Sequence, residues 1–142
     1  MQRLLSKAHL LIGLLGIIAF LGTGQYMDKY HGHLEGMDDA MRMLFRSTHL
    51  YILYASICNV ALGVYEVPRV QGLGSFVQSA GSITLLLVPI LLTVAFFTEP
   101  FLTDFARPYS RPAAYLALGG GLLLLFVKAV ESLTGPDAEP GA

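Results

Sequence analysis

The stretch Phe76–Thr98, FVQSAGSITLLLVPILLTVAFFT, decides the fold. It is 23 residues long and contains no charged side chain. At about 1.5 Å per residue a helix of this length reaches about 35 Å, enough to cross a hydrocarbon core of about 30 Å. Three more apolar runs flank it, at Leu4–Gly24, Leu44–Tyr65 and Pro112–Val130. The expected fold is an all-α membrane protein, an antiparallel bundle of four transmembrane helices near residues 4–24, 40–65, 76–98 and 112–132. Residues 1–134 form that single domain, and 135–142 read as a disordered tail with no apolar face.

Composition supports the reading. Of 142 residues, 54 % are apolar and 13 % charged, where a soluble domain carries about 25 % charge. The mean hydropathy is +0.61. Nineteen charged side chains, nine basic and ten acidic, cannot dress a water-facing surface, which excludes a soluble enzyme. They also make no basic field, which excludes nucleic-acid binding. Cys58 is the only cysteine, so no disulfide forms within the chain.

The breaks between spans follow turn chemistry. Gly22-Thr23-Gly24-Gln25 is expected to end the first helix, Glu66-Val67-Pro68 the second and Glu99-Pro100 the third. Ser110 reads as the N-cap of the fourth, with Pro112 in its first turn, where a missing N–H costs nothing. Between the third and fourth helices, Phe101, Leu102 and Phe105 suggest a short interfacial helix. Pro89 falls mid-span and should kink the third helix, with Ser82, Thr84 or Thr93 satisfying the freed backbone groups. The first run follows Arg3 and Lys7 as a signal peptide would, but it is long and has only a weak small-x-small site, so a retained helix is expected.

An even number of spans puts both termini on one side. Lys and Arg divide four to five between the two sides, which fixes no orientation by itself. Arg3 and the α-amino group tilt the N-terminus toward the cytoplasm. The expected setting is a bacterial inner membrane.

Helix faces supply the candidate residues. His9, Gly13, Gly16, Phe20 and Thr23 share one face of the first helix, a small-residue packing seam. Gly119-Gly120-Gly121 permits a second close approach. On the second helix Arg42, Arg46, His49, Ser56 and Gly63 make one stripe, with Asn59 at its edge and Cys58 on the opposite side. Polar groups within a span face the bundle interior, so the stripe is expected to point inward. Asp38 and Asp39 sit at the start of that helix, and Asp38 is spaced four residues from Arg42 for an ion pair.

Three of the four histidines and four of the five methionines lie between Met27 and His49. His31, His33 and Met37, with Met27, Met41 and Met43, are the candidate metal ligands, because thioethers and imidazoles suit copper. Haem b is the other candidate cofactor. His9 and His49 would lie about 15 Å apart in depth on helices of opposite direction, too far for one iron. His49 with His31 or His33 remains open, and Arg42 and Arg46 would then pair with haem propionates. The same residues without a cofactor make an ordinary interfacial loop.

No acidic side chain lies mid-span, as a coupled transporter would need, and no nucleophile, phosphate-binding or metalloprotease motif occurs. The expectation is a non-catalytic membrane protein, in contact with lipid, that packs as a homo-oligomer or as an accessory subunit of a larger membrane complex. A haem- or copper-binding redox protein is the first alternative, and a small-solute channel or carrier the second.

Overall fold

The computed structural model describes residues 2–65, 72–102 and 106–134. These form four long helices, α1 (Gln2–His31), α2 (Asp39–Val64), α3 (Leu73–Thr98) and α4 (Ser110–Thr134). Single 3-10 turns stand at Gly32–Leu34 and Glu99–Phe101, and no strand occurs among the described residues. All four helices are long and apolar enough to cross a membrane. The Glu66-Val67-Pro68 break, Phe105 and the tail over 135–142 lie outside the described residues.

Three helices start and stop within a few residues of the expected bounds. The first does not. Gly22-Thr23-Gly24 fails to end it, and α1 continues to His31. Two interior glycines cost a helix about 1 kcal/mol each. Packing offsets that here, because Thr23 is buried and Tyr26, one turn on, lays its ring edge-on against Phe96 and Phe97. The break comes at Gly32, His33 and Leu34, all at positive φ. Left-handed backbone is costly for Leu34, and its side chain is 2 % exposed, held in the core cluster that includes Phe45.

Asp38 caps α2 by accepting the amide hydrogen of Ala40 at 3.1 Å. Arg42 pairs with Asp39 rather than with Asp38 as the spacing suggested, because Asp38 is engaged in the cap. Glu99 does the corresponding work for α4. Its Oε1 accepts the N–H of Tyr109 at 2.8 Å and of Ser110 at 2.7 Å. The cap expected of Ser110 thus comes from a carboxylate eleven residues upstream, which also suits the positive end of the helix dipole.

Contacts run up α1 as they run down α2. Ser6 donates to the Gly63 carbonyl, His9 meets Asn59, Gly13 faces Val60, Gly16 faces Ser56, and Thr23 meets His49. On α3, His9 reaches Ser82, Gly16 lies by Pro89 and Tyr26 touches Phe96. Helices α1, α2 and α3 therefore form a mutually packed group. Helix α4 packs mainly on α3 among the described residues, with Gly120 against Gly81 and Leu85, and Ala113 at its start joins the shared core. The core runs between the helices from Ala55 and Ile52 to an aromatic end built from Phe45, Phe96 and Tyr26.

Candidate functional site

Two clusters of polar side chains lie within the helical group, and their hydrogen bonds keep them separate. The first joins α1, α2 and α3. Asn59, 1 % exposed, donates from Nδ2 to the carbonyls of Ala55 at 2.9 Å and Leu85 at 3.1 Å. Leu85 is four residues before Pro89, so its carbonyl has lost its helical partner to the proline ring. Asn59 replaces that partner from a neighbouring helix. The three residues expected to do so are otherwise engaged: Thr84 donates to Ala80, Thr93 to Pro89 itself, and Ser82 bonds His9.

With both amide hydrogens spent on carbonyls, Asn59 presents Oδ1 to His9 Nδ1 at 2.7 Å. An oxygen acceptor there requires the hydrogen on Nδ1. His9 Nε2 then accepts from the Ser82 hydroxyl at 2.9 Å. Both ring nitrogens of His9 are used, and the side chain is 2 % exposed. This cluster fastens three helices together and offers no free group for chemistry.

The second cluster surrounds His49. Thr23 has one hydroxyl hydrogen, and it goes to the Phe20 carbonyl at 2.9 Å. Thr23 Oγ1 therefore accepts at 2.8 Å from His49 Nδ1, which must carry its hydrogen. Phe20 stacks on the imidazole at 4.1 Å between centroids, fixing the plane of the ring. The remaining nitrogen, Nε2, carries a lone pair. It lies on the side of Gly24, where a Cβ would stand 3.8 Å away. His49 is half-buried, and its Nε2 is not sealed inside the protein.

The other candidate residues are placed as follows. Arg46 is exposed, so the expected inward stripe is corrected at this point: the inward face of α2 is Phe45, Thr48, Ile52, Ser56, Asn59 and Gly63. Phe45 fills the core position beside Arg46, and the guanidinium stays outside. Arg42 bonds Asp39 and the Met37 carbonyl. His31 lies among Tyr26, Phe45 and Phe101, and its Nε2 is buried without a hydrogen-bond partner among the described residues. His33 instead points to Asp28 at 2.7 Å and is exposed. Met27, Met37 and Met41 pack against the hydrophobic core, so their thioethers serve as apolar filling, while Met43 is exposed. Among the described residues no group of three His, Cys, Asp or Glu side chains converges as a metal would require.

Comparison with known protein families, curated proteins and solved structures finds no match to this chain.

Two contributions escaped the sequence reading. Glu99 reads in the sequence only as a helix stop, because its capping of α4 depends on a fold-back across eleven residues. The Asn59–Leu85 bond had a usable signal: Pro89 frees a carbonyl at position 85, and Asn59 is a strong donor at the matching level of the preceding helix.

Proposed function

We propose that this chain is an integral protein of a bacterial inner membrane, four antiparallel spanning helices with both termini on one side, acting without catalysis as a self-associating subunit. Four helices of sufficient length and apolarity support the insertion. The ascending and descending contacts between successive helices support the antiparallel arrangement.

The observation that carries the subunit reading is the outer face of α4. Helix association in lipid depends on small residues that let backbones approach. Gly13, Gly16 and Gly63 are spent between α1 and α2, and Gly81 and Gly120 between α3 and α4. Gly121 is not spent: a Cβ there would meet nothing within 4 Å. It shares an exposed stripe with Ala114, Leu118 and Leu125, at spacings of four, three and four. Among the described residues α4 packs mainly on α3, and this stripe is exposed. A second copy offers the same stripe, and two-fold pairing through one face makes a closed dimer.

Single cysteines placed along α4, in a Cys58→Ser background, test this by oxidative cross-linking in native membranes. Ala114→Cys, Leu118→Cys and Gly121→Cys are expected to give disulfide-linked dimers, and Ala113→Cys and Val127→Cys, both buried, are not. Uniform absence of cross-links, together with a monomeric mass in mild detergent, overturns the subunit reading.

A further inference from the structure

We propose that the outward face of α2 is a second pairing surface, which joins this chain to another copy through a seam centred on Tyr54. The inference rests on the four-span reading and is independent of the stripe on α4.

Tyr54 is out of place for a residue that faces lipid. Between Arg46 and Glu66 the chain carries no Lys, Arg, Asp or Glu over 19 residues, which at about 1.5 Å each span about 29 Å, the thickness of a hydrocarbon core. Tyr54 lies two residues from the middle of that run and is 73 % exposed. The nearer end of the run is seven residues away, about 10 Å, farther than a phenol extends, so the hydroxyl cannot snorkel to the headgroups. It makes no hydrogen bond among the described residues. Tyrosines that face lipid gather at headgroup level, and a hydroxyl left unpaired in hydrocarbon is costly. The outward residues at the middle of the other helices are aliphatic: Leu14 and Ile18 on α1, Leu87 and Ile90 on α3, Leu122 on α4.

The residues around Tyr54 are spaced for a helix partner. Met43, Leu50, Ile57 and Val64 stand seven residues apart and are all exposed. Ser47, Tyr54 and Ala61 fall between them, also seven apart. Alternating steps of three and four, held over three heptads, keep one seam turned toward one neighbouring helix. Ser47 and Ala61 are small, which lets the two backbones approach on either side of the phenol. The occupant is a second copy. Copies inserted the same way run parallel, and a two-fold axis along the membrane normal sets each residue opposite its counterpart at equal depth. A phenol both donates and accepts, so Tyr54 and its counterpart satisfy each other. One polar position in such a seam also fixes its register. Together with the α4 stripe, this face extends the assembly beyond a dimer.

Oxidative cross-linking of single cysteines in native membranes, in a Cys58→Ser background, tests the seam. Ile57→Cys and Ala61→Cys are expected to give disulfide-linked dimers, and Leu14→Cys, on the outward side of α1, is not. Tyr54→Phe removes only the hydroxyl from an exposed side chain, so the fold is kept. Added to Ile57→Cys, it is expected to weaken pairing about threefold, read as the yield of dimer at limiting expression. Ile57→Cys combined with Gly121→Cys is expected to give species larger than a dimer. Retention of the chain in alkali-washed membranes reads insertion, and Gly121→Cys alone reads the α4 stripe, so failure of either is seen separately. Washed membranes in which Ile57→Cys and Ala61→Cys stay monomeric, an unchanged yield with Tyr54→Phe, or a double-cysteine chain that stops at dimers while each single variant cross-links, overturns the proposal.

Discussion

Gly13→Ala is expected to destabilise the protein by forcing α1 and α2 apart. A Cβ at Gly13 would stand 2.7 Å from the Val60 amide nitrogen and 2.9 Å from the Ser56 carbonyl oxygen. Both are backbone atoms of α2, so no rotamer change relieves the contact, and the two helices must separate. Overpacking a tight contact costs about 1–3 kcal/mol, and separation here also strains the His9–Asn59 and Thr23–His49 bonds on either side. We expect a loss of about 3 kcal/mol. Gly22→Ala on the same helix supplies the contrast. Nothing lies within 4 Å of that position, so the substitution gains helix propensity of up to about 1 kcal/mol. Thermal unfolding of both variants in the same detergent reads the difference. Equal midpoints would mean that α1 and α2 do not interlock through Gly13.

The second large effect is expected at Asn59. Replacing it with leucine keeps the bulk but leaves His9 Nδ1–H and the Leu85 carbonyl without partners. A buried polar group deprived of its partner costs about 1–3 kcal/mol. Polar contacts between helices in lipid measure lower, averaging about 0.6 kcal/mol, because the separated helices find other partners. Between these limits, two orphaned groups give an expected loss of about 2 kcal/mol. The proline provides an internal control. Pro89→Ala restores an N–H that can return to the Leu85 carbonyl, so Asn59→Leu is expected to cost about 1 kcal/mol less in that background. A double-mutant cycle measured by unfolding reads the coupling. Strict additivity would show that Asn59 does not serve the carbonyl freed by Pro89.

Much of this molecule is written in its hydropathy. The four helices follow from runs such as Phe76–Thr98, and the α1 seam of His9, Gly13, Gly16, Phe20 and Thr23 follows from helical spacing. Each of those five residues meets α2, α3 or both. The sequence was less legible where two elements had to be compared. The length of α1 depended on Tyr26 finding Phe96 and Phe97, contacts invisible in a local window that contains two glycines. The stripe on α2 was drawn through Arg46, one position away from the face that Phe45 takes. His49 was a candidate from its place in the chain. What distinguishes it is the hydrogen bond from Thr23 to Phe20, which decides where the imidazole carries its hydrogen.

The central claim is that the chain crosses the membrane four times, and side-specific cysteine labelling tests it most directly. Single cysteines at Gln2, Glu35 and Ala142, in a Cys58→Ser background, are exposed in intact spheroplasts to a maleimide that cannot cross the membrane. Four spans with cytoplasmic termini predict immediate labelling at Glu35→Cys, with Gln2→Cys and Ala142→Cys reacting only after permeabilisation. Termini labelled from opposite sides, or all three positions labelled from the same side, would contradict the account.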